Sequence, residues 1–141
     1  MRLLSLTAAV VLAGGLAFAF WPKDSTTAQN TPTESTALVD VYLPESLSAN
    51  AAIGQRVFEA KCAACHGFNA AGNAEAGPPL VHKIYEPSHH GDASFQRATQ
   101  AGVRAHHWKF GNMPPVEGIT PAEVSAIVAY VRELQRANDI F

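Results

Sequence analysis

Hydrophobic and polar positions divide the chain into stretches of different period. Leu3 to Trp21 is apolar and uncharged, with only Arg2 ahead of it. A run of this kind belongs to targeting or anchoring rather than to a fold. Residues 23–49 are rich in Thr, Ser, Gln, Asn and Pro, with little apolar periodicity. Such a segment buries too little surface to offset its ordering entropy and reads as a flexible tether. Within it, Leu38-Val39-Asp40-Val41-Tyr42-Leu43-Pro44 is the exception, suited to lie as an extended strip on the domain.

Helical spacing governs the rest. Val124, Ile127, Val128, Val131 and Leu134 mark one buried face of a closing helix. Thr120-Pro121-Ala122-Glu123 fits a capping box at its start, with Pro121 at the first helical position. Asp92 to Val103 reads as a shorter helix with Asp92 as N-cap. No internal repeat and no alternation of strands and helices is visible. The expectation is an all-α domain over residues 50–141.

At 141 residues there is room for one domain plus a targeting segment. Two readings of residues 1–22 stay open. Ala17-Phe18-Ala19 supplies the small residues of a signal-peptide cleavage site. An uncleaved anchor through residues 3–21 fits equally, with Trp21 and Lys23 at the membrane interface. Both place the domain in the periplasm, soluble or anchored to the inner membrane. The formal charge is −2, but residues 51–141 hold eight Lys plus Arg against eight Asp plus Glu. No basic stripe exists, which excludes nucleic acid as a partner. A monomer is expected, with docking only modestly dependent on salt.

The two cysteines sit together in Cys62-Ala63-Ala64-Cys65-His66. A disulfide across two residues removes little chain entropy, and its usual redox role belongs to a thioredoxin-like unit that this pattern lacks. Zinc needs two further ligands, and His66 would have to bend back onto an ion already held by Cys65. The string has a direct logic instead: two thiols bond the two vinyl groups on one edge of a haem, and the next imidazole reaches the iron.

From Ala51 to Gln135 the sequence resembles the class I cytochrome c family. Gly54 and Phe58 stand eight and four residues before Cys62, on one helical face, and Tyr130 matches their aromatic partner on the last helix. The resemblance implies an all-α cytochrome c fold with terminal helices packed across each other around one covalent haem c. Gly77-Pro78-Pro79-Leu80 is similar to the family's turn beside the proximal imidazole. It implies that the Pro78 carbonyl accepts a hydrogen bond from His66, unless this is an ordinary loop. Trp108 resembles the family's tryptophan that reaches a haem propionate, the alternative being a plain pocket wall.

Apart from Met1, Met113 is the one methionine, in the stiff segment Gly111-Asn112-Met113-Pro114-Pro115. Its place 47 residues after His66 and 17 before Tyr130 matches the family's distal ligand. His82, His89, His90, His106 and His107 are rivals that would lower the potential. The pairs His89-His90 and His106-His107 also invite a copper or zinc site. Across about twelve helical residues they stand roughly 18 Å apart, too far to share an ion unless the chain folds back, so solvated histidines are expected.

With iron ligated by His66 and Met113, the expected role is an electron carrier rather than an enzyme, serving redox protein partners. Two other functions stay open: a metal-handling module using the paired histidines, and a gas-binding haem protein with a labile sixth ligand.

Overall fold

The computed structural model describes residues 36–141. The expected targeting segment and the first part of the tether lie outside the described residues. Among the described residues, four α-helices carry the fold: α1 (Ala49–Lys61), α2 (Ala63–His66), α3 (Asp92–Ala101) and α4 (Pro121–Ala137). Short 3₁₀ turns at Phe68–Ala70 and Lys83–Tyr85 punctuate the connections. Among the described residues, β-pairing is limited to the isolated bridges Asn73 to Gly77 and Val103 to Met113.

Helix α1 starts at Ser48, whose hydroxyl accepts from the Ala51 amide at 3.2 Å. Its buried residues Ala51, Gly54 and Phe58 follow helical spacing along one face. That face crosses α4. A Cβ on Gly54 would lie 1.9 Å from the Ala126 carbonyl oxygen, so the two backbones approach where no side chain fits. One turn further along each helix, the rings of Phe58 and Tyr130 meet at 5.7 Å and 58°. The glycine's contact is therefore with the Ala126 backbone, and the ring contact belongs to Phe58.

Helix α4 begins as its sequence requires. The Glu123 amide donates to the Thr120 hydroxyl at 3.2 Å, and the Thr120 amide donates to the Glu123 carboxylate at 2.8 Å. Val124, Ile127, Val128, Val131 and Leu134 are all buried. Two polar residues are buried with them, Arg132 at 7% exposure and Gln135 at 0%. Buried polar groups need partners, and here they find them on the loop preceding α3. Arg132 donates to the Tyr85 and His90 carbonyls at 2.6 Å each, to Gln135 Oε1 at 2.6 Å and to Asp92 Oδ1 at 2.9 Å. Gln135 Nε2 donates to the Leu80 and Tyr85 carbonyls. This network fastens residues 80–92 to the closing helix.

It also corrects the expected start of α3. The N-cap is Gly91, not Asp92, which sits in the first turn with its carboxylate engaged by Arg132. The helix stops at Ala101 rather than Val103, because Gly102 leaves helical geometry at φ +74°.

Residues 36–48, assigned by sequence to the tether, are joined to the domain. The Leu38 and Val39 amides donate to the Ala71 carbonyl, and the Ala74 amide donates to that of Thr36. Tyr42 exchanges two hydrogen bonds of 2.9 Å with the Asn138 side chain. Val41 and Leu47 pack against the core. The strip read at residues 38–44 thus continues to the start of α1.

Candidate functional site

A cavity of about 450 Å³ lies between the helix pair and the loops of residues 77–117. Its size falls within the range of cofactor and small-molecule sites. Phe58, Val124 and Ile127 line it from the helices; Pro78, Trp108 and Met113 line it from the loops.

Cys62, Cys65 and His66 line the same cavity. Cys62 ends α1, its amide donating to the Phe58 carbonyl, and the single turn α2 follows. Residues at i, i+3 and i+4 share one side of a helical turn, so this spacing gathers both thiols and the imidazole together. Burial, with a smaller contribution from neighbouring Cys65, pushes the Cys62 thiol up to about 11. A dithiol built for disulfide exchange has the opposite property, a depressed pKa that stabilises thiolate. The thioredoxin-type reading fails on the fold, which places no strand before the motif among the described residues.

The loop after α2 doubles back beside the motif. A Cβ on Gly77 would come within 2.8 Å of the Cys65 carbonyl oxygen, so glycine permits this close return. It brings the Pro78 carbonyl to 2.9 Å from His66 Nδ1. A carbonyl oxygen only accepts, so Nδ1 carries the hydrogen and Nε2 keeps its lone pair. Burial pulls the His66 imidazole below its ordinary value, and the bond to Pro78 opposes part of that shift. The result is a ring of fixed orientation whose charged form is disfavoured.

Met113 sits on the far loop, paired with Val103 through two backbone hydrogen bonds of 2.9 and 3.0 Å. Pro114 and Pro115 follow and restrict the segment. Trp108 is half-buried, and its indole Nε1 is buried without a hydrogen-bond partner among the described residues. Burial raises the Tyr85 phenol, with the Trp108 side chain opposing the shift, so the two are neighbours lying outside hydrogen-bond geometry. An unpaired buried N–H costs roughly 1–3 kcal/mol. The cavity therefore combines apolar walls, paired thiols, an oriented imidazole, a thioether and one orphaned donor, a set that fits an amphipathic macrocycle with acidic arms.

Of the rival histidines, His90, His106 and His107 reach the cavity rim, while His82 and His89 do not line it. The paired histidines do not stand apart as their separation along α3 implies. The chain folds back, and His89 and His107 Nε2 atoms lie 3.3 Å apart. Sequence reasoning missed the Arg132–Gln135 network altogether. Its one signal is a polar pair at i and i+3, Arg132 and Gln135, each directly following an apolar residue of the stripe, Val131 and Leu134.

Fold and cavity define an all-α cofactor-binding domain with paired thiols and an imidazole in its wall. The chain belongs to the cytochrome c family, whose model, described as Cytochrome c, matches residues 51–135. It is a haem c electron-transfer protein, with its haem covalently bound. Over 94 residues it is 37% identical to the cbb3-type cytochrome c oxidase subunit FixP of Bradyrhizobium sp. (strain ORS 278). It is 33% identical to the subunit of the same name from Bradyrhizobium diazoefficiens. Each match covers 65% of this chain but only 30% of the relative. No solved structure matches significantly. Among the described residues, no helix is long and apolar enough to cross a membrane.

Proposed function

We propose that this chain carries single electrons between redox proteins of the periplasm, holding one haem through Cys62 and Cys65 with His66 and Met113 as axial ligands. The observation that carries the reading is the 2.9 Å bond from His66 Nδ1 to the Pro78 carbonyl, on the same cavity that Met113 lines. It leaves His66 Nε2 free to donate to a metal in one orientation and raises its basicity.

Cys62 and Cys65 would hold the haem as thioethers, sulfur and hydrogen adding across each vinyl C=C with nothing released. When bound, the haem supplies an iron that alternates between two oxidation states one electron apart. With His66 and Met113 both holding the iron, no position would be left for a substrate, which favours a carrier over an enzyme or a gas sensor. Trp108 Nε1 supplies a donor for a propionate, and Phe58, Val124 and Ile127 exclude water from the inner wall. The uncharged run of residues 3–21 supports export, by cleavage or by anchoring. Similarity to subunits of a cbb3-type cytochrome c oxidase supports redox protein partners.

The test is a spectrum of exported, matured protein in both redox states, with its intact mass. Haem should add to the mass and resist extraction into acidified organic solvent. Reduced protein should bind carbon monoxide slowly or not at all, and Met113→Ala should bind it rapidly. A colourless product sinks the haem assignment; unchanged ligand-binding behaviour in Met113→Ala sinks the thioether ligand.

A further inference from the structure

Four histidines converge beside the cavity mouth, and the proposed electron carrier has no use for them. Helix α3 rises about 15 Å over its ten residues. The return segment from Gly102 to His107 can cover about 20 Å when extended. It runs back along the helix, anchored by the Val103–Met113 pair and by the Val116 amide donating to the Thr99 carbonyl. His106 and His107 are thereby delivered to the helix start, where His89 and His90 stand.

The cluster is tight. His89 and His107 Nε2 atoms are 3.3 Å apart. One ring nitrogen from each of His89, His90 and His107 lies within 4.8 Å of the others. His106 stacks beside them, its centroid 4.2 Å from that of His107 and 5.8 Å from that of His90. No carboxylate forms an ion pair with any of the four among the described residues.

Two of the rings are also oriented for a ligand. His90 Nδ1 donates to the Ile84 carbonyl at 2.6 Å, and His106 Nδ1 donates to the Arg104 carbonyl at 2.8 Å. In each, Nε2 is left as the lone-pair nitrogen, the arrangement by which metal-binding imidazoles are fixed. The His90 backbone is itself held, its carbonyl accepting from the buried Arg132 guanidinium at 2.6 Å.

The spacing of one nitrogen pair already matches a metal. Two imidazole nitrogens at 2.0–2.1 Å from a tetrahedral ion stand about 3.3–3.4 Å apart, and the His89–His107 pair already does so. An all-imidazole set disfavours magnesium and calcium, suits copper and zinc, and binds Cu(II) most tightly of the common divalent ions. We propose that His89, His90 and His107, with His106 beside them, bind one Cu(II) or Zn(II) ion at the rim of the haem cavity. This site is independent of which side chain completes the iron's coordination, provided that none of these histidines does so.

The experiment titrates haem-loaded, full-length protein with Cu(II), and separately with Zn(II), in a buffer that does not coordinate metals. One equivalent should bind, with at least three nitrogens visible in the Cu(II) electron paramagnetic resonance spectrum and an unchanged haem spectrum. His89→Ala combined with His107→Ala should weaken binding by about 100-fold or more, whereas His106→Ala should weaken it by about 10-fold or less. Binding of full strength in the double variant would place the ion elsewhere and overturn the proposal. So would the absence of a bound equivalent, or a change of haem ligation on adding metal. Should the double variant fail to mature, Zn(II) protection of His89 and His107 from imidazole acylation, read by mass spectrometry on unaltered protein, decides the matter. Equal labelling with and without Zn(II) refutes the site.

Discussion

At the crossing of α1 and α4, Phe58, Tyr130, Val131 and Leu134 are each at most 1% exposed and pack in one cluster. Across the cavity, Trp108, Phe110 and Met113 are only half-buried, and the 18 residues from Gly102 to Ile119 contain no helix. The first region finds its partners within the chain, whereas the second presents apolar side chains and an orphaned indole N–H toward the space that haem occupies. Long loops without regular structure are uncommon in compact domains unless something else orders them. The contrast implies that the crossing sets the fold's geometry, while the cofactor supplies the missing core of the loop side.

The most drastic way to break this comparison is to prevent haem attachment. Cys62→Ser with Cys65→Ser should yield a chain without a cooperative thermal transition by circular dichroism, residual helix at α1 and α4 notwithstanding. A native-like transition in the haem-free protein would show that the loop wall holds itself together.

The same contrast decides how much of the molecule is legible in its sequence. The capping box at Thr120, the apolar stripe of α4 and the Gly54 and Phe58 face are local or periodic signals, and each appears where its spacing placed it. The haem motif was legible because its chemistry is compressed into five adjacent residues. What escaped depends on returns of the chain. Arg132 is buried and partnered only because the loop of Tyr85 and His90 is brought over it. Asp92 reads as an N-cap until that same arginine claims its carboxylate. The histidine pairs read as separate until Gly102 reverses the chain, a tertiary event with no periodic trace.

Gly54→Ala tests the crossing itself. A methyl group 1.9 Å from the Ala126 carbonyl oxygen cannot be accommodated without separating the helices. Overpacking of this kind costs about 3 kcal/mol, net of the roughly 1 kcal/mol gained in helix propensity. Denaturant unfolding of the haem-loaded protein measures it; a loss below about 1 kcal/mol would mean that the helices slide freely at this point.

Arg132→Met tests how the loop side is tied to α4. Asp92 is 69% exposed, so that ion pair contributes little. The loss should come from the His90 carbonyl and the Gln135 amide oxygen left without their donor, the Tyr85 carbonyl keeping Gln135 Nε2, about 2–3 kcal/mol in all. Hydrogen exchange should rise in residues 80–92 and stay unchanged in α1. Equal loosening of both regions would erase the distinction between them.

The smallest effect sharpens the comparison, because it belongs wholly to one side. Thr120→Ala removes the hydroxyl that caps α4 and should cost about 1 kcal/mol. Thr120 and Arg132 are twelve residues apart, about 18 Å along the helix. Combined with Arg132→Met, the loss should therefore add to within about 0.5 kcal/mol. Glu123 supplies a second readout of the same cap. Its carboxyl is held below its ordinary value of 4.5, first by the Thr120 backbone amide and then by the Thr120 hydroxyl. A pKa depressed by folding contributes stability that is present above the unfolded value and lost as pH falls through the folded one. The difference in thermal midpoint between the unaltered protein and Glu123→Gln should thus be constant near neutrality and shrink as pH drops below about 4.5. Because the cap lies on the self-sufficient side, the acid profile of that difference should be the same in the Arg132→Met background. A profile that moves with Arg132 would mean that the start of the closing helix senses the cavity wall, and that the two regions are one cooperative unit.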